Sequence, residues 1–284
     1  MPDFPIIDSH VHIWDTRKLN YPWLRDIQTL NRPFLLEDFK KASSSVKIES
    51  IVFMQCETEF AQAMDEEEWI NELGYSEPLI KAIIPWAPIE SGDSARAYLD
   101  KLKPNPLIKG VRRLIQSEPN MEFCLQSGFV KGLKILSEYD FTFDICISHL
   151  QLFNTIKMIQ QCQETFFVLD HIAKPDIKNL VFEPWKSEIR RAAQLPNLVC
   201  KISGMVTEAN HKNWTKEDLK PYIEHVIECF GFDRVMFGGD YPVVTLAAKY
   251  QQWIDALDSA LKGCSKNELQ KLYRENAKRI YKIQ

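Results

Sequence analysis

The stretch Ile6-Ile7-Asp8-Ser9-His10-Val11-His12-Ile13-Trp14-Asp15 runs an apolar lead straight into two histidines one residue apart. Side chains alternate along a strand, so this spacing predicts Asp8, His10 and His12 on one face and Ile7, Ser9 and Val11 on the other. Two imidazoles on one face can converge on a metal ion, a carbonyl oxygen or a water; the alternative is that one caps the strand and the other bonds a loop. The aromatic and proline-rich segment behind them, Trp14 through Tyr21-Pro22-Trp23-Leu24, suits a loop lining a pocket.

Outward from that strand, β-rich runs alternate with helical ones. Strands are expected at 48–55, 79–86, 108–114, 141–147, 166–170, 198–203 and 234–238. Helices are expected at 34–42, 60–73, 94–102, 121–139, 150–161, 184–194, from Thr215, at 246–261 and at 266–281. Gly74 is placed just past a helix end, Thr215 with Asp218 and Ser265 with Glu268 form capping boxes, and Pro221 implies a kink or a later helix start. The segment 204–214 reads as a long loop. The 284 residues lie near the roughly 250 of a (β/α)8 barrel. A doubly wound sheet would place a glycine-rich phosphate turn where His10-Val11-His12 stands. The fold class is therefore α/β, a single-domain (β/α)8 TIM barrel over residues 1–284.

Composition narrows the function. A net charge of −4 gives no attraction for a polyanion, so nucleic acid is not expected as a partner. No apolar run reaches the roughly 20 residues of a membrane span, no secretory leader precedes Ile6, and a cytoplasmic location follows. Seven cysteines without a Cys-x-x-Cys pair suggest neither disulfides nor a zinc ribbon. A homo-oligomer is compatible with the sequence.

In such a barrel the chemistry collects where the strands end. Those ends carry His10 and His12, Gln55 with Glu57, Trp86, Arg112 or Arg113, Ser148 or His149, His171 with Lys174, Lys201, and Asp240 with Tyr241. Adjacent strand residues face opposite ways, so only one of Arg112 and Arg113 can enter the mouth. Asp144, inside the fifth strand, is expected to lie apart from the chemistry.

The runs IIDSHVHIWD, LNYPWL, GVRRLIQ, VLDHIAKP, CKISG, FGGDYPV and ENAKRIY together resemble the lactonase branch of the amidohydrolase-type barrels, which includes L-fuconolactonase, L-rhamnonolactonase and 2-pyrone-4,6-dicarboxylate lactonase. The resemblance spans nearly the whole chain and implies a hydrolase opening the lactone of a sugar acid. Asp240 would be the general base, with His10, His12 and His171 as further catalytic residues. Arg112, Gln55, Trp14, Trp23, Lys174 and Tyr241 would bind substrate. Two departures stand out: the fifth strand offers no histidine, and the fourth ends in Arg112 where a bridging lysine would stand. A binuclear metal site is therefore not expected. No cofactor is expected to be required, although His10, His12 and His171 could hold one zinc. The alternatives are a related hydrolase or decarboxylase acting on an aromatic or dicarboxylate substrate, and a non-catalytic binding barrel.

Overall fold

The computed structural model describes residues 2–284. Strands β1 (Ile6–Val11), β2 (Ile48–Met54) and β3 (Ile80–Ile84) pair in parallel in that order. So do β4 (Gly110–Arg112), β5 (Thr142–Ile145), β6 (Phe167–Leu169), β7 (Leu198–Ile202) and β8 (Val235–Phe237). Bridges Ile83–Ile108 and Trp86–Arg112 close the seam from β3 to β4. At the seam from β8 to β1, His12 N donates to Tyr241 O (2.7 Å) and Asp240 N to His10 O (2.8 Å). The eight strands thus make an α/β barrel.

The helices on its outside are α1 (Leu36–Ala42), α2 (Ala63–Ser76), α3 (Arg96–Leu102), α4 (Ser127–Tyr139), α5 (Leu152–Gln161), α6 (Trp185–Ala192), α7 (Met205–Glu208), α8 (Lys216–Phe230), α9 (Tyr250–Ala260), α10 (Lys266–Gln270) and α11 (Asn276–Ile280). Both capping boxes form, at Thr215 with Asp218 and at Ser265 with Glu268. Three expectations change. Gly74 lies inside α2, where a side chain would strike Leu107, so it serves close packing instead of ending the helix. Pro221 sits within α8 without interrupting it. The segment 204–214 contains the short α7. No helix among the described residues is long and apolar enough to cross a membrane.

Period-two alternation sorts the strand side chains. Phe143, Phe167, Leu169, Cys200 and Phe237 face the helices, while Ile7, Val52, Met54, Ala82, Ile84, Val168, Val199 and Met236 fill the lower interior. Ala277, Ile280, Tyr281 and Ile283 pack against that lower layer and close the barrel floor. Higher up, the inward positions turn polar: Arg112, Asp144, Asp170 and Lys201 are all buried.

Strand β1 departs from simple alternation. Asp8 pairs with Ile51 and Val11 with Phe53, so three steps on β1 match two on β2, which marks a bulge. Ile7 and His10 can therefore both enter the barrel. Asp8 is turned to the outer side, where its carboxylate accepts from Gly239 N (2.7 Å), Tyr250 Oη (2.7 Å) and His10 N (3.0 Å). The expected common face holds for His10 and His12 and fails for Asp8.

Candidate active site

Three backbone turns deliver side chains to the mouth. Asp240, His171 and Glu57 each follow a strand with φ of +54°, a region that costs L-residues energy and is concentrated at functional sites. At His171 the left-handed backbone continues through Ile172, Ala173 and Lys174, so one tight turn presents both His171 and Lys174. Trp185 Nε1 fixes it by donating to Ile172 O (2.7 Å). Gly204 backs it, since a Cβ there would come within 2.5 Å of the His171 ring. Gly239 is equally constrained beneath Asp240, because its Cβ would meet Asp8 Oδ2 at 2.3 Å and the Tyr250 ring at 2.4 Å.

The three imidazoles surround one carboxylate oxygen. Asp240 Oδ1 lies 3.8 Å from His10 Nε2, 3.6 Å from His12 Nε2 and 4.0 Å from His171 Nε2. His12 Nδ1 donates to Met54 O (2.8 Å), which leaves Nε2 as the lone-pair nitrogen. His10 Nε2 faces the Arg112 Nη1 donor at 3.3 Å, and its Nδ1 lies 3.3 Å from Asp170 Oδ1 and 3.4 Å from Lys201 Nζ. His171 Nδ1 shares a 2.8 Å hydrogen bond with Ser203 Oγ. Burial keeps all three rings below the usual imidazole pKa, and for His10 and His171 well below it. Burial pushes the Asp240 carboxyl up, but His171, the bond to His12 and the Lys174 ammonium outweigh it and hold it below the usual value. The result is three imidazole Nε2 atoms aimed at one carboxylate oxygen. Such a set is suited to an activated water or a cation.

Cations and counter-ions brace it from below. Arg112 Nη2 donates to Gln55 O (2.6 Å) and Nη1 to Asp170 Oδ2 (3.2 Å). Lys201 Nζ lies 3.1 Å from Asp170 Oδ1 and 2.6 Å from Asp144 Oδ2, and Tyr281 Oη donates to the same Asp144 oxygen (2.6 Å). Burial opposes ionisation of Asp170, but Lys201, His10 and Arg112 keep its carboxyl well below the usual range. Asp144 thus belongs to the column of charge under the site, contrary to the expectation that it lies apart.

A cavity of about 300 Å³ opens over this cluster. Its walls include His12, His171, Asp240, Arg112, Trp23 and Lys174, six of the residues singled out from the sequence. His10 lies just behind, fully buried. Gln55 is buried and turned toward Glu57, to which its Nε2 donates (2.8 Å). The structure does not bring Trp14 or Tyr241 to the cavity walls. Trp14 packs against Tyr21, Trp23 and Phe34, and Tyr241 packs against Phe34 and Phe39, so both rings are taken up by aromatic neighbours under the loop. His211 is exposed and bonded to Thr207 O, and His149 to Lys174 O. The wall residues Cys56, Leu114, Gln116, Cys146 and Thr207 carried no signal beyond following a strand.

The acceptor set fits a divalent cation. Ligand atoms of His10, His12 and Asp240 lie within 4.8 Å of one another, as do those of His10, Asp170 and His171. His10 is common to both groups, with the Arg112 charge beside it. Each group joins a carboxylate to two of the three histidines expected to hold a zinc.

A family model described as amidohydrolase matches residues 7–283. The L-fucono-1,5-lactonase of Burkholderia multivorans is 28% identical over 257 residues, covering 87% of this chain and 85% of that one. The L-rhamnono-gamma-lactonase of Scheffersomyces stipitis is 23% identical over 337 residues, covering 100% of both chains. A crystal structure of a Burkholderia multivorans amidohydrolase with bound zinc superimposes with a TM-score of 0.90 at 26% identity, covering 99% of this chain and 100% of that one.

Proposed function

The chain belongs to the amidohydrolase family, and we propose that it opens the lactone ring of a sugar acid with Asp240 as the base that activates water. The observation that carries this reading is the focus of three imidazole Nε2 atoms on Asp240 Oδ1, at 3.6 to 4.0 Å, on the wall of the central cavity. The lactonases among its relatives support lactone hydrolysis as the reaction class.

In the proposed reaction a water lies between Asp240 and the ring carbonyl, with Asp240 Oδ1 and His12 Nε2 accepting its two hydrogens and His171 beside it. Asp240 takes a proton as the water oxygen bonds to the carbonyl carbon. The tetrahedral oxyanion is met by positive charge rather than by imidazolium, since burial lowers the pKa of all three histidines. Lys174 Nζ suits that role, because its only ion-pair partner among the described residues is Glu208 at 3.8 Å. Neighbouring groups outweigh burial and keep its pKa raised. Arg112 is held by Gln55, Asp170 and His10 and adds field more than a free donor. Collapse breaks the bond to the ring oxygen, which takes the proton from Asp240, and the hydroxy acid leaves. His10, His12 and Asp240 would hold a zinc, which when bound supplies a water of lowered pKa.

A dicarboxylate lactone would call for several convergent arginines. Arg113 instead turns away to Glu90 (3.0 Å) and Glu118 (2.5 Å), leaving Arg112 and Lys174 as the cations at the cavity. A neutral sugar lactone is therefore the favoured substrate. Among the described residues the seven cysteines are all free thiols, which supports a reducing compartment such as the cytoplasm. A panel of aldonolactones assayed by proton release at neutral pH tests the reading. Turnover on at least one is expected; activity confined to a dicarboxylate lactone, or binding of lactones without turnover, would overturn it.

A further inference from the structure

Beside the central cavity lies a second hollow of about 290 Å³. The two share Glu57, Leu114 and Ser117 as walls, so Glu57 stands on the saddle between them. Glu57 is held there deliberately. Its backbone is left-handed at φ +54°, its N–H donates to Gln55 Oε1 (2.6 Å), and its carboxylate accepts from Gln55 Nε2 (2.8 Å).

We propose that this hollow is a second sugar subsite and that the preferred substrate is a lactone carrying a neutral glycosyl substituent; the proposal rests on the lactonase reading above. Two kinds of surface face each other across it. Phe60 and Trp86 meet edge to face with centroids 4.7 Å apart. Phe60 is 70% exposed although it is a large apolar ring. Opposite them, Glu57, Glu90 and Glu118 offer carboxylate oxygens, and the guanidinium of Arg113 is consumed by the last two. Three carboxylates against one guanidinium leave acceptor oxygens in surplus. Apolar ring faces set against surplus acceptors match a sugar ring, which presents C–H faces and donates through its hydroxyls. An anionic substituent would be repelled by the excess of carboxylates.

The test compares the best simple lactone of the panel with its glucosylated derivatives, α- and β-linked at each free hydroxyl. At least one derivative should show a kcat/KM about tenfold higher, the scale of about 1.4 kcal/mol. Phe60→Ala, at an exposed position, should remove that gain and leave the simple lactone within about twofold. Equal or poorer turnover of every derivative, or an equal loss on both substrate types, would overturn the proposal. If no lactone is turned over, the lactonase reading fails and the subsite is judged by binding alone. Neutral disaccharide alditols should then quench tryptophan fluorescence in the parent and not in Phe60→Ala. A signal independent of Phe60, or tighter binding of sugar acids than of neutral sugars, would refute the subsite.

Discussion

The lower and upper halves of the barrel interior are built on the same strands by the same alternation, yet one is hydrocarbon and the other is charged. On β6 the inward positions are Val168 and then, just past the strand, Asp170; on β7 they are Val199 and then Lys201. Two residues separate an aliphatic side chain from an ion. The lower half, floored by Ala277, Ile280, Tyr281 and Ile283, removes apolar surface from water at about 25 cal/mol per Å². In the upper half, Asp144 and Asp170 are balanced against Lys201 and Arg112. Buried pairs of this kind are often no more stabilising than the hydrocarbon that could replace them. We therefore take the lower half to hold the fold and the upper half to hold His10 and Arg112 in register with Asp240.

The sharpest way to break this contrast is to remove one ion. Lys201→Met leaves Asp144 and Asp170 without their shared cation, and stability in urea should fall by about 3–5 kcal/mol. Adding Asp144→Leu should recover part of that loss, because the two changes are coupled. A loss below about 1 kcal/mol for Lys201→Met would show that the column is not a charged unit.

A second prediction separates a paired acid from an unpaired one. Glu66 on α2 is buried and accepts from Cys56 N (3.1 Å), and burial raises its carboxyl from 4.5 to about 8. Folded protein therefore keeps a proton that the unfolded chain has lost at neutral pH. The resulting contribution is fully present below about 4.5 and is lost as pH rises through about 8. Glu66→Gln should flatten the decline in the urea midpoint between pH 6 and 9. An unchanged slope would place the titration elsewhere; Asp8, raised to about 7 by burial, is the next group to examine.

The mildest prediction concerns the hydrocarbon half. Ile84→Val should cost about 0.5–1.5 kcal/mol in urea unfolding and leave lactone turnover within about twofold. A large loss of turnover there would mean that the two halves are not separable.

Much of this architecture is legible in the chain because alternation is local. The eight strands, His10 with His12, and the rule that only one of Arg112 and Arg113 turns inward follow from it. Asp8 was misplaced because a bulge adds one residue, which no local pattern reports. Lys201 stands out at a strand end, but two of its neighbours in the charged column escaped: Asp144 and Tyr281 are far apart in sequence, and each alone resembles an ordinary strand or helix residue. Trp14 and Tyr241 show the limit of composition, since an aromatic loop residue can line a ligand site or seal the loop beneath it. Packing against Phe34 decides for the seal.

The most direct measurement is the turnover number of Asp240→Asn on the best lactone, taken beside its circular dichroism. The amide keeps the shape and cannot accept the proton. A folded variant should lose about 10²–10⁴-fold in kcat with a far smaller change in KM. Turnover within a few-fold of the parent would contradict the role given to Asp240, and so would a loss that comes with unfolding.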